Sequence, residues 1–194
     1  MSASRWTVLV LVLAALGLSL GYGLRRHHTD TNAADLRPLQ AQAALDPCPA
    51  SLGPSFPKLT LPCLGGGAAV PLRGAGTGRP TLVNVYGSWC GPCQQEMPVL
   101  RAFYGKAKDR VALVGVDTQE GDPSLGLHFA MDMQQHWPAV VDDERLVGSH
   151  FSPGVPLMVF VDPAGKVVHV EHRSGYKDLL SLERDVRTYL GVAL

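Results

Sequence analysis

Residues 81 to 107, "TLVNVYGSWCGPCQQEMPVLRAFYGKA", limit the fold of this chain more than any other stretch. "TLVNVY" (81 to 86) is a short, nearly continuous apolar run, the pattern of a strand buried on both faces. From 91 to 107 the apolar residues Met97, Leu100 and Tyr104 recur at three- and four-residue intervals, which predicts a helix. "VALVGVD" (111 to 117) is a second buried strand. Strand, helix and strand in this order require a right-handed parallel crossover, and Cys90 and Cys93 fall where the first strand hands over to the helix.

That position carries chemistry. At a helix N-terminus, unpaired backbone N–H groups and the positive end of the dipole stabilise a thiolate, the form that attacks disulfides. Cys90 is therefore the candidate nucleophile. Cys93, one turn into the helix, is placed to resolve a mixed disulfide formed at Cys90. Pro92 costs no bond that the first turn could have made, and Gly91 admits a partner's backbone. A metal site would need two further ligands at short spacing; Cys48 and Cys63 are far apart in Pro-rich sequence, and the seven His form no paired ligand motif. A permanently closed structural bridge is disfavoured too, since so short a loop removes little unfolded-state entropy. Redox exchange needs no cofactor beyond the two thiols.

The remaining pattern fills out a mixed sheet. "FPKLTLPCLGGGAAVPLRGAGTGRP" predicts an irregular strand pair with turns. Asp122 with Pro123 opens a second helix, through about residue 135, and "PAVVDD" is a third, short strand. "PLMVFVDPAGKVVHVEH" is an antiparallel hairpin about Asp162-Pro163-Ala164-Gly165, with His169 and His172 read as solvated. Leu179, Leu182, Val186 and Leu190 stripe a final helix before Gly191. The sum is an α/β fold: a mixed central sheet flanked by helices, with an N-terminal strand extension and a helical insertion after the second core strand.

The amino end differs from the rest. "WTVLVLVLAALGLSLGYGL", Trp6 to Leu24, is uncharged and about as long as the ~20 residues needed to cross a bilayer. With Arg25 and Arg26 directly behind it and no small-x-small site close by, an uncleaved anchor is favoured over a cleaved signal. The basic residues on its two sides balance, so they do not orient it. The expected organisation is an anchor with short flanks (1–28), a flexible linker (29–46) and one domain (47–194). With 17 basic and 17 acidic residues the chain has no basic footprint for nucleic acid.

Beyond these residues there is a resemblance. "WCGPC" behind an apolar strand is similar to the active site of the thioredoxin superfamily, with Pro98 where that family's helix carries its kinking proline and "GVP" (154 to 156) where it places its cis-proline loop. The longer "NVYGSWCGPCQQEMP" resembles the membrane-anchored TlpA/ResA/DsbE-like branch in its WCxPCxxExP form. The resemblance implies a cis Val155-Pro156 peptide opposite the cysteines, where a substrate strand could pair beside the reactive sulfur, with Trp89 bordering it. It also favours Glu96, otherwise readable as a solvated helix charge, as a carboxyl that exchanges a proton with Cys93. Thioredoxins proper carry a buried Asp where this chain has Asn84, so Glu96 would have to serve instead. Tyr86 stands where Trp is frequent, either bordering the cleft or packing. Cys48 and Cys63 then read as a structural bridge worth on the order of 3 kcal/mol, against two free thiols or a second redox pair.

The resemblance implies a monomeric, single-pass membrane protein with its domain outside the cytoplasm, acting on the thiols or disulfides of exported proteins and coupled to a transmembrane electron donor or acceptor. Direction stays open. Thioredoxin lies near ~−270 mV and the strong oxidant DsbA near ~−120 mV; the Gly-Pro dipeptide and the branch lean towards a reductase, including service in cytochrome c maturation. A structural bridge in an oxidising compartment leans towards a folding oxidase. A third reading is a non-catalytic binding module.

Overall fold

The computed structural model describes residues 36–172 and 174–194. The segment expected to be an anchor, Trp6 to Leu24, lies outside the described residues; among these, no helix is long and apolar enough to cross a membrane. The chain divides into two compact units, Met1–Pro38 and Leu39–Leu194. The sheets, their helices and all four cysteines belong to the second.

The elements in chain order are α1 (Arg37–Ala43), β1 (Thr60–Leu61), β2 (Val70–Pro71), β3 (Thr81–Tyr86), α2 (Gly91–Ala107), β4 (Ala112–Thr118), α3 (Pro123–Asp132), β5 (Ala139–Asp142), α4 (Leu146–Phe151), β6 (Leu157–Val161), β7 (Val167–Glu171) and α5 (Leu179–Leu190). The main sheet has the order β5-β4-β3-β6-β7, with β3, β4 and β5 parallel and β6 and β7 antiparallel. β1 and β2 form a separate antiparallel pair. This is the mixed sheet flanked by helices that the sequence predicts, with β1 and β2 as the N-terminal extension and α3 as the insertion after β4.

Every residue of β3 is buried, because the strand lies at the centre of the sheet and its two faces serve two cores. Leu82 and Tyr86 point into one, with Met97, Leu100 and Phe103 of α2, Phe129 of α3 and Leu182 and Val186 of α5. Val83 and Val85 point into the other, with Leu52, Phe56, Leu61, Leu72 and Val147. The period of two along the strand produces this division. The edge of β5 is covered by an isolated bridge of Cys63 to Val140, with Leu64 N–H donating to Ala139 O and Val141 N–H to Pro62 O; its exposed ladder is thereby blunted.

Two expectations are corrected. Residues 29–46 are not flexible tether throughout: Arg37–Ala43 is helical, Ala43 is buried, and Gln40 Nε2 donates to Leu64 O at 3.2 Å. A two-turn helix needs only one or two contacts to dock, too few to show as a stripe. His169 is not simply solvated, since its ring stacks on Tyr189 at a centroid distance of 3.7 Å.

Candidate active site

β3 ends at Tyr86, and Gly87, Ser88 and Trp89 turn the chain into α2. Cys90 is the N-cap of α2, with φ −88° and ψ 104°, and its sulfur accepts from Cys93 N–H at 3.2 Å. The cap is thus a sulfur held against the orphan amides of a 17-residue helix, the setting that favours a thiolate once the pair is reduced. Here Cys90 and Cys93 are bonded to each other, the oxidised state. Cys90 is 5 % exposed and Cys93 1 %, so a partner can meet only the first.

Trp89 projects beside them, 54 % exposed, with its indole Nε1 donating to Thr118 O at 3.2 Å. Trp89 is thus a surface residue and not part of either core. The Val155-Pro156 peptide is cis. A groove of about 270 Å³, lined by Ser152 to Pro156 and His172, runs along that loop. Gly175 joins these parts: a Cβ at its φ of +82° would lie 3.2 Å from Glu96 Cβ and 3.3 Å from both Pro156 Cγ and Pro92 O. The opening of α2, Glu96 and the proline loop therefore converge on one point, where only a glycine fits.

Glu96 is 2 % exposed. It follows Cys93 by three residues and precedes Leu100 by four, which places it on the buried seam of α2. One oxygen accepts from Asn84 Nδ2 at 3.0 Å and the other from Tyr176 N–H at 2.9 Å. Burial pushes its carboxyl above the usual range, and the bonds from Tyr176 and Asn84 partly offset this. A buried acid with a raised pKa, one helical turn from the resolving thiol, is suited to hold or accept its proton. Tyr86 packs rather than bordering the cleft: it is wholly buried, and its hydroxyl donates to Gln135 Oε1 at 3.0 Å.

Cys48 and Cys63 are bonded to each other. Cys63 belongs to the core on the opposite face of the sheet from the one containing Cys90 and Cys93, so the two pairs are separated by the sheet. A cavity of about 390 Å³ lined by Asp46, Thr77, Arg79, Tyr104 and Ala112 adjoins the amino ends of β3 and β4, away from the cysteine turn. Among the described residues no group of three His, Cys, Asp or Glu could hold a metal.

The sequence reading passed over Ser88, Asp117, Glu120 and Tyr176. Glu120 accepts from both Ser88 N–H and Ser88 Oγ, and Tyr176 supplies the second donor to Glu96. Ser88, Glu120 and Tyr176 act through contacts distant in sequence; only Asp117, the charge that closes the otherwise apolar "VALVGVD", offered a local signal.

A five-stranded mixed sheet with a CxxC pair capping the helix behind its central strand defines the thioredoxin-like class. The chain belongs to the AhpC/TSA family, whose model matches residues 52–170. It is similar to the thiol-disulfide oxidoreductase ResA of Bacillus thuringiensis (strain Al Hakam), 29 % identical over 93 residues, covering 47 % of this chain and 53 % of the relative. ResA of Bacillus subtilis (strain 168) is 32 % identical over 97 residues, covering 48 % and 52 %. The chain thus spans about half the length of the curated relatives it matches. The solved structure of MTB DsbF in its mixed oxidised and reduced forms superposes with a TM-score of 0.58 over 70 % of this chain and 98 % of that one, at 24 % identity; this likeness shows the fold.

Proposed function

We propose that this chain is a thiol–disulfide oxidoreductase working through Cys90 and Cys93, and that it reduces disulfides of exported proteins. The observation that carries the reading is Cys90 as the sulfur N-cap of α2, closed onto Cys93 beside an exposed Trp89. In the reduced protein the Cys90 thiolate attacks one sulfur of a substrate disulfide and forms a mixed disulfide. The other substrate sulfur leaves as a thiolate and takes a proton. Cys93, giving its proton to Glu96, then attacks Cys90 Sγ, closing the Cys90–Cys93 bond and releasing the second substrate thiol. Two electrons pass to the substrate, and an external dithiol must restore the pair. Val155 and Pro156 hold the substrate strand and Trp89 covers it.

The names of the ResA relatives support the activity. Service in cytochrome c maturation, and a donor across the membrane, extend the same reading. In it Trp6 to Leu24 anchors the chain with the amino terminus in the cytoplasm and the domain outside, and Cys48–Cys63 is a structural bridge.

The bridge also favours a second reading, since it persists only in an oxidising compartment; there the protein would introduce disulfides rather than remove them. Equilibration of Cys90/Cys93 against a glutathione series, read by thiol labelling, separates the two. A potential below about −180 mV is expected, and a higher one would sink the reductase reading. Cys90→Ser should abolish exchange; unchanged partner processing would leave only a binding module.

A further inference from the structure

A pair of carboxyl groups stands behind the turn that carries Cys90, and the exchange chemistry makes no use of it. Asp117, the penultimate residue of β4, is in register with Tyr86 and wholly buried, and neither of its side-chain oxygens accepts a hydrogen bond. Glu120, three residues on and 9 % exposed, is placed oppositely: Oε1 accepts from Ser88 N–H at 2.5 Å and Oε2 from Ser88 Oγ at 2.6 Å. With the bond from Trp89 Nε1 to Thr118 O, three hydrogen bonds tie residues 118–120 to the two residues before Cys90.

Two neighbouring carboxyls removed from water do not both ionise readily, and the charge settles where donors are supplied. Glu120 has two donors and Asp117 none. The groups facing Asp117 from the other elements do not change this. Tyr86 of β3 spends its hydroxyl proton on Gln135. Asp143, after β5, adds a further negative charge. α3 approaches with Gly126, whose missing side chain leaves room for Asp117 Oδ2. Among the described residues, the charges that act most strongly on Asp117 are negative ones, Glu120 and Asp143. Burial, followed by repulsion from Glu120 and a side-chain hydrogen bond with that same carboxyl, which only a protonated acid can donate, accordingly lifts the Asp117 carboxyl to about 9.

We infer that Asp117 is held protonated behind the turn, and that Asp117 and Glu120 are a positioning element for Cys90: the neutral acid leaves both oxygens of Glu120 to Ser88. Loss of that proton in alkali brings a second charge into the pocket and disturbs the turn. The effect on Cys90 rests on the thiol-exchange reading, whereas the protonation state does not.

Carbon NMR of the full chain tests it, with the side-chain carboxyls assigned through bonds so that no variant is needed. At neutral pH, Asp117 is expected at the shift of a protonated acid; an ionised Asp117 overturns the proposal. The positioning half is read from the alkylation rate of reduced Cys90 by iodoacetamide across pH. Wild type should show an alkaline inflection besides that of the thiol itself, and Asp117→Asn, which cannot ionise, should lack it. Glu120→Gln should slow alkylation at neutral pH by threefold or more. A profile for Asp117→Asn that coincides with wild type overturns the positioning role even if Glu120→Gln fails to fold. Neither readout uses a disulfide substrate, so a chain that exchanges no disulfides would sink the proposed function and leave the protonation state of Asp117 standing.

Discussion

Asn84 Nδ2 donates a hydrogen bond to Glu96 Oε2 at 3.0 Å, joining the middle of β3 to the first half of α2 inside the core. The bond favours the ionised form of a carboxyl that burial pushes the other way. If Glu96 accepts the proton of Cys93, exchange accelerates as pH rises through the raised pKa of this acid and levels off above it. Glu96→Gln is expected to remove that inflection and to slow exchange on the order of 10²-fold, the lower end for general acid–base groups. Asn84→Asp places a second carboxyl against Glu96 and should move the inflection to higher pH. Rates of glutathione exchange across pH check both; unaltered profiles would relieve Glu96 of its role.

The Cys48–Cys63 bond closes a span of 15 residues across β1 and the edge of β5. A loop of that size stabilises by about 3 kcal/mol through the unfolded chain. Replacing both cysteines by serine should lower stability to urea by about that amount, while exchange at Cys90 proceeds at nearly the wild-type rate because the sheet separates the pairs. Loss of exchange in a variant shown to be folded would reveal a redox role for the second pair.

Where the sequence pattern is continuous, it leads to the structure: β3, α2 and β4 stand within one residue of expectation because apolar runs and a 3.6-residue stripe dictate them. The stripe in α2 is nonetheless wider than expected. Met97 and Leu100 are buried as expected and Tyr104 only partly, while the buried face also takes in Cys93, Glu96, Phe103 and Ala107; a carboxylate in an apolar seam does not declare itself by hydropathy. Helix α4 escaped because it is six residues long and its first amides, those of Leu146 and Val147, are capped by Asp142 from the end of β5. The same holds for Glu120 and Tyr176, whose partners Ser88 and Glu96 lie 32 and 80 residues away. Such distant hydrogen bonds leave no period to read.

Gly126 lies within α3, where Ala would ordinarily gain up to about 1 kcal/mol in helix propensity. Here a Cβ would run into Asp117 Oδ2. Gly126→Ala is therefore expected to destabilise the wild-type chain, and to cost much less in an Asp117→Ala background, where the space is vacated, whereas in the isosteric Asp117→Asn background it should cost as much as in wild type. Urea unfolding of Gly126→Ala in the three backgrounds, each measured against its own parent chain, forms a double-mutant test of the contact. A stabilised Gly126→Ala would show that the helix absorbs the methyl by shifting.

The buried Asp117 also sets a slope of stability against pH. Unfolded, its carboxyl titrates near the ordinary 3.8; folded, desolvation and then the charge of Glu120 lift it to about 9. Between these values the native state binds more protons than the unfolded one, so stability falls as pH rises, by at most about 1.4 kcal/mol per unit. Below the lower value both states are protonated, and above the upper one both are ionised, so the slope vanishes at each end. Asp117→Asn removes the titration. It should nearly match wild type in acid and become the more stable chain from about pH 5 upwards, with a gap that widens through neutrality. Urea midpoints at a series of pH values measure that gap, and parallel curves for the two proteins would mean that Asp117 finds in the folded chain as good a setting for its charge as water provides.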